Sequence, residues 1–145
     1  MLDKLNAQQI SIFEAIASKA RGLLEEEGHV EAASFFITGT KAVFMPLDMA
    51  KSVSTDTLKE VLDEIQPEMV LTVMTAWMLT GREGEYALME GFSPELYPSK
   101  ENVISFAIQT PEGNLYAYAP ILNRAGQNTF DELTWVDADS VVIGG

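Results

Sequence analysis

Few residues in this sequence have the type and spacing that catalysis needs. His29 is the single histidine and there is no cysteine, so thiolate nucleophiles are excluded and a serine triad would depend on His29 alone. The sequence has no Gly-x-Ser-x-Gly nucleophile elbow, no Walker loop and no Gly-x-Gly-x-x-Gly element. We therefore expect no catalytic residues, no cofactor and a protein that is not an enzyme.

The carboxylates leave one catalytic alternative open. Asp137, Asp139 and Ser140 could together ligate an ion, but calcium needs six to eight oxygens and usually a downstream glutamate, and no glutamate follows Ser140. An acidic turn is favoured there, and we expect no metal. With 22 acidic residues, a general acid–base pair elsewhere stays conceivable although no spacing singles one out. A carboxylate-dependent hydrolase is thus one alternative function.

Three cations suggest an anion site. The chain has nine basic residues against 22 acidic ones, a net charge of -13, and only Arg82, Lys100 and Arg124 follow the second predicted helix. If the strands between them run antiparallel in chain order, all three fall at one end of the sheet. A positive end on an acidic protein would attract a small anion or a partner's carboxylates. The alternative is that they neutralise neighbouring glutamates.

Two tyrosines suggest a recognition surface. Tyr116 and Tyr118 share one face of a predicted strand, with the small residues Ser105 and Ala107 expected beside them. Tyrosine is enriched where interfaces form. A sheet face lying under a loop would have the same composition. We predict that these tyrosines and the three cations bind a ligand or partner.

The charge also limits the partners. Affinity for a nucleic-acid backbone rests on cations that displace counterions, so direct nucleic-acid binding is disfavoured. An acidic protein can instead block the basic groove of a partner, which gives a second alternative: an inhibitor or sponge, of the kind phages encode, acting on a basic partner or a nucleotide-like signal. The first residues lack the basic start and apolar run of a secretory signal, and no apolar stretch is long enough to span a membrane. We expect a cytoplasmic protein without membrane contact.

Apolar spacing predicts the elements that position these residues. A first helix covers roughly residues 1–28, with Asp3 as a capping acceptor and Gly28 at its end. A hairpin follows, turning at Gly39, and Pro46 places its second strand at an edge or a bulge. A second helix begins at Ser54 or Thr55 and stops before Pro67.

The stretch VLTVMTAWMLTG, residues 70–81, predicts a strand that is apolar on both faces. Helices on opposite sides, the polar passage from Gly81 to Glu101, or another subunit could cover the second face. We expect the passage to be an ordered cover, because long structureless loops are uncommon in compact domains. A second hairpin turns at Pro111-Glu112-Gly113-Asn114, and the tail predicts short strands near 133–136 and 141–143.

This order predicts one α+β domain over residues 1–145, with helices packed on an antiparallel sheet. The strings MTAWMLTG, YPSKENVISFAI and TPEGNLYAYAPIL resemble a group of small acidic bacterial and phage-borne proteins to which no activity is assigned, so the resemblance implies no site residues. The element order is also similar to the roadblock or profilin-like arrangement, which implies a fold and no function. We expect a non-enzymatic interaction or ligand-binding domain that forms a homo-oligomer through its sheet face or edge.

Overall fold

The computed structural model describes residues 5–46, 55–79, 101–136 and 142–144. The helices are α1 (Ala7–Glu27) and α2 (Thr55–Ile65). The strands are β1 (Ala33–Thr38), β2 (Lys41–Pro46), β3 (Met69–Leu79), β4 (Glu101–Thr110), β5 (Gly113–Pro120), β6 (Leu122–Arg124), β7 (Gln127–Thr129), β8 (Thr134–Val136) and β9 (Val142–Gly144). The predicted α+β class is confirmed.

The strands form one large antiparallel sheet and one small one. The large sheet has the order β2-β1-β3-β4-β5-β8, and β9 pairs with the end of β3. The predicted antiparallel succession of β3, β4 and β5 is confirmed, with Leu71 opposite Ile108 and Ile108 opposite Leu115. Strands β6 and β7 form the small sheet. The ends of β3 and β5 therefore meet the start of β4 at one end of the large sheet.

Helix α1 starts later than its apolar spacing predicts. Asn6, rather than Asp3, is the N-cap: its side chain accepts from Gln9 N at 2.8 Å, and Gln9 Oε1 accepts from Asn6 N at 3.0 Å. This reciprocal pair satisfies two free amides at once, which a single acceptor at Asp3 cannot do; Asp3 itself lies outside the described residues. The predicted end is confirmed, because Gly28 has a φ of 83° and donates to Leu24 O.

The first hairpin places β2 at an edge of the sheet. Thr38 pairs with Lys41 across the two-residue turn, and Gly39 at the first turn position has a φ of 59°. A left-handed residue there matches the twist of the strands. β1 continues into the sheet by pairing with β3, whereas β2 pairs only with β1 among the described strands. The edge position predicted from Pro46 is confirmed.

The face of the sheet that α1 covers, here called the helix face, holds the main core. Phe13 of α1 meets Phe106 of β4 edge-to-face at 5.5 Å and Trp135 of β8 at 5.1 Å between ring centroids. The buried residues of the sheet on this face are Ala33, Ile37, Met69, Leu71, Val73, Ile104, Phe106, Ile108, Leu115, Ala117 and Ala119. Burying each of the larger side chains among them contributes roughly 1.5–3 kcal/mol.

The opposite face, here called the far face, is buried along its centre as well. Ala76 and Met78 of β3 pack with Val103 and Tyr116 in a second cluster, and Met78 is only 1% exposed. The last turn of α2 reaches this side, since Thr38 Oγ1 donates to Ile65 O at 3.2 Å. The far face of β3 is thus buried at Ala76 and Met78, whereas Val70, Thr72 and Met74 on the same face are half-buried. Association through this face stays a prediction.

The segment after β5 folds back onto α1, which the sequence patterns do not predict. The ladder of β5 ends at Pro120, and β6 and β7 turn at Ala125-Gly126, where both residues have positive φ, 52° and 84°. Arg21 of α1 lies over the Phe130 ring at 4.5 Å and donates to Phe130 O at 3.1 Å. The predicted tail strands are confirmed as β8 and β9, with β9 against β3.

Candidate functional site

An apolar cavity of about 360 Å³ lies between α1 and the β1–β2 hairpin on the helix face. Its size falls at the lower end of the roughly 300–1,000 Å³ that small-molecule sites occupy. Helix α1 supplies one wall and the sheet the other; the apolar lining is Ile16, Ala20, Leu23, Val30, Ala33, Phe35, Phe44 and Val73.

The cavity follows from how α1 crosses the sheet. Phe13 and Leu24 are buried in the core, and this anchors the helix over the central strands and over the returning segment at Phe130. Ile16, Ala20 and Leu23 lie on the neighbouring part of the helix surface, one helical turn or less apart. They line the cavity opposite Ala33 and Phe35 of β1, and the space between the two walls stays open.

The rim of the cavity carries charges of both signs. Lys19 and His29 lie there together with Glu27 and Glu31, and all four are exposed. His29 Nδ1 is 3.3 Å from Glu27 O, which fits the predicted surface role. A ligand with an apolar body and a polar end would therefore contact apolar side chains at the floor of the cavity. At the rim its polar end would meet hydrogen-bonding side chains, both basic and acidic.

The outer wall of the cavity is an exposed edge strand. Val43 is 41% exposed and Phe44 is 57% exposed, and these are the exposed large apolar residues among those described. Phe44 points to the helix face, where its ring lies 5.2 Å from that of Phe35, while Val43 points to the far face. Large apolar side chains on both faces of an edge strand are a known liability for association.

The predicted tyrosine pair lies elsewhere, on the far face. Tyr116 and Tyr118 stack at 6.3 Å with ring planes 29° apart, and Ala107 and Ser105 lie opposite them on β4, as predicted. Tyr116 is only 4% exposed and so offers little surface to a partner, whereas Tyr118 is half-buried; binding by the pair stays a prediction.

Tyr116 keeps a buried hydroxyl without a partner. Burial raises the pKa of Tyr116 to about 12. The nearby Ser105 hydroxyl opposes that rise, but it donates to Met74 O at 3.1 Å, and Tyr116 Oη forms no hydrogen bond with the described residues. Burial disfavours the charged phenolate and so holds Tyr116 in its neutral form. The unpaired buried hydroxyl is itself costly.

The predicted cation cluster is described only in part. Arg124 lies on β6, and its guanidinium forms a bidentate pair with the Asp131 carboxylate, with Nη1 at 2.9 Å from Oδ1. Arg82 and Lys100 lie outside the described residues, as does the passage expected to be an ordered cover. Convergence of the three cations on an anion therefore stays a prediction. An anion bound by Arg124 would have to compete with the Asp131 carboxylate.

The remaining candidates add no second site. Met69 and Met78 are buried in the core, and Asp137 and Asp139 lie outside the described residues. Within the described ranges, no group of three or more histidines and acids is placed to hold a metal ion. No helix in those same ranges is long and apolar enough to cross a membrane.

Sequence reasoning missed the cavity, although it identified every element around it. The one signal present was the run Ala42-Val43-Phe44, which is apolar at consecutive positions next to Pro46. An edge strand normally carries polar residues on its open side, so an edge strand without them marks a surface of interest. Comparison with known proteins adds nothing to this, since no protein family, no curated protein and no solved structure matches the chain.

Proposed function

We propose that this chain is a non-enzymatic binding domain, and that its binding site is the cavity between α1 and the β1–β2 hairpin. The observation that carries the proposal is an open cavity of about 360 Å³ whose floor is apolar and whose outer wall is the exposed Phe44. A site of this kind suits a compact, mainly apolar group with one polar end. Burial of such a group contributes roughly 25 cal/mol per Å² of apolar surface.

The absence of paired acids at the cavity floor favours binding over catalysis. Its acids, Glu27 and Glu31, are exposed at the rim, where solvent screens them. The predicted tyrosines lie on the other face of the sheet, and Arg124 belongs to the small sheet. A carboxylate-dependent hydrolase or an acidic inhibitor of a basic partner would each need a different site, and no contact among the described residues points to one.

The proposal can be tested with the fluorescent apolar probe anilinonaphthalene sulfonate and two matched variants. Ala15 lines the cavity, whereas Ala7 lies at the start of α1 outside it, and both are exposed. We expect saturable binding of the probe to the native protein and a loss of about tenfold in affinity, about 1.4 kcal/mol, in Ala15→Phe. Ala7→Phe should bind like the native chain.

Circular dichroism must show that both variants fold. Equal probe binding by native protein, Ala15→Phe and Ala7→Phe would contradict the proposed site. Native mass spectrometry of freshly purified protein adds an independent measurement, because an apolar molecule held in the cavity should appear as a mass increment that Ala15→Phe lacks.

A further inference from the structure

We propose that two copies of this chain form a dimer by antiparallel pairing of their β2 edges about a two-fold axis, with Val43 opposite the second copy's Val43. The pairing goes beyond the proposed function, because two strands can pair with the cavity empty. It joins two large sheets into one continuous sheet, with both α1 helices on the same side.

The first step identifies the backbone N–H and C=O groups of β2 that do not point toward β1. The carbonyl of Ile37 accepts from Glu68 N at 2.8 Å, so it points toward β3. Backbone direction alternates along a strand, and Thr38 and Phe36 therefore direct their N–H and C=O groups toward β2, where their partners are Lys41 and Val43. The N–H and C=O groups of Ala42 and Phe44 consequently point outward from the sheet.

The second step is the register. A two-fold axis perpendicular to the sheet allows either Val43 or Phe44 to lie opposite its own copy. With Phe44 central, Ala42 would face the second copy's Pro46, which has no N–H to give to the Ala42 carbonyl. With Val43 central, Ala42 and Phe44 exchange both of their bonds with the second copy's Phe44 and Ala42. Because this register leaves no outward group of Ala42 or Phe44 unpaired, it is the favoured one.

The third step concerns the contacts that the side chains form in this register. In this register the two Val43 side chains face each other on the far face, as a cross-strand pair at close separation. The two Phe44 rings lie diagonally across the axis on the helix face, within reach of each other. Both residues that are strongly exposed in one copy are thereby covered. Phe44 is also a wall of the cavity, so the dimer brings the two cavities to either side of the axis.

The fourth step concerns charge, which favours a second copy of this chain over a strongly charged peptide as the partner of the β2 edge. A chain of net charge -13 repels its copies except where its surface is locally neutral. The β2 edge is such a place: the strand carries only Lys41, and the adjoining rim has Lys19 against Glu27 and Glu31. The edge therefore offers no charge to attract a strongly basic or acidic peptide. We expect the dimer to strengthen as salt screens the remaining repulsion.

The other edge of the large sheet does not offer the same opportunity. Strand β8 is three residues long, and its Trp135 packs against Phe13 rather than facing out. Short edges are one of the ways in which proteins avoid edge pairing. The β2 edge, by contrast, has six residues and no bulge in its ladder with β1.

Disulfide trapping tests both the dimer and its register, since the chain has no cysteine of its own. Directly opposed residues of a non-hydrogen-bonded pair lie within the distance that a disulfide can span. We expect Val43→Cys to form a linked dimer under mild oxidation at low micromolar protein. Glu112→Cys, exposed in the β4–β5 turn, is the control and should remain largely monomeric. Linkage through Phe44→Cys in place of Val43→Cys would overturn the register.

Sedimentation equilibrium tests the association in solution. Val43→Lys places like charges opposite each other and should shift the protein to monomer, whereas Thr40→Lys, with the same charge change in the exposed turn of the same hairpin, should leave the dimer in place. A monomeric native protein at high micromolar concentration, or equal oxidation of Val43→Cys and Glu112→Cys, would overturn the proposal. Ala15→Phe should still dimerise, so unchanged probe binding by an intact Ala15→Phe dimer would count against the cavity alone, whereas loss of the dimer in the native protein would count against the edge pairing alone.

Discussion

Strands β4 and β2 both carry apolar side chains on the two faces of the sheet, but their environments are opposite. Each carries a phenylalanine near its middle, but Phe106 of β4 is 0% exposed and Phe44 of β2 is 57% exposed. Phe106 has strands on both sides and meets Phe13 and Phe130 across the helix face, whereas Phe44 meets Phe35 alone among the described aromatic rings.

The difference between the two phenylalanines lies in their neighbours. The helix face at the centre of the sheet uses its apolar side chains to hold the fold together, since Leu71, Phe106 and Ile108 are fully buried there. At the β2 edge the same kind of side chain is exposed. We therefore expect substitutions at the centre of the sheet to lower the free energy of unfolding, and substitutions at the β2 edge to leave it nearly unchanged.

The largest effect should come from truncating the two phenylalanines. We expect Phe106→Ala to lower the free energy of unfolding by about 3–5 kcal/mol, because it opens a cavity in a tightly packed core. Phe44→Ala should lower it by about 1 kcal/mol or less. Urea unfolding at low micromolar protein, where association contributes little, gives both values. Similar losses for the two variants would remove the distinction between centre and edge.

A smaller effect is expected at the buried tyrosine of the central region, and it depends on pH. The pKa of Tyr116 is raised from 10.0 to about 12 in the folded protein, so the stability from its neutral form is complete below pH 10 and falls as the pH rises toward 12. One pKa unit corresponds to about 1.4 kcal/mol, which predicts a loss of roughly 2–3 kcal/mol across that range.

Removing the Tyr116 hydroxyl should remove this dependence. Tyr116→Phe should stay folded at pH values where the native protein loses stability, while being as stable as the native protein, or more so, at neutral pH. Tyr118→Phe, on the same face but half-buried, is the control and should keep the native alkaline loss. Thermal unfolding from pH 8 to pH 12 measures the loss of stability in each protein. If Tyr116→Phe loses as much stability as the native protein, groups other than Tyr116 cause the alkaline loss.

The smallest effect contrasts the turns of the two hairpins. The β1–β2 turn has Gly39 at its positive φ, whereas the β6–β7 turn places Ala125 at a φ of 52°. A left-handed alanine is strained, and asparagine followed by glycine is preferred in a turn of this type. We expect Ala125→Asn to stabilise the protein by about 0.5–1 kcal/mol, a rise in Tm of roughly 2–4 °C. A lower Tm would show that the turn is not strained.

The local elements of this protein could be read from its sequence. Gly28 and Gly39 mark a helix end and a turn because few other residues tolerate a left-handed backbone. Pro46 indicates an edge because it cannot donate to a ladder. The antiparallel β3, β4 and β5, the α+β class and the short tail strands were predicted from apolar alternation together with turn residues. Most of these depend on residues that are close together in the chain; the pairing of β3 with β4, across residues 80–100, is the exception.

The candidate site depended on residues that are far apart, and only the tertiary structure placed them. The cavity forms because α1, anchored through Arg21 to Phe130 over 109 positions, crosses the sheet next to a strand pair that lies at its edge. The burial of Ala76, Met78 and Tyr116 on the far face arises in the same way, from the order in which strands pair. Apolar periodicity shows which side of a strand faces the core. The neighbours that enclose that side, or that leave Phe44 exposed, depend on packing between residues that are far apart in the chain.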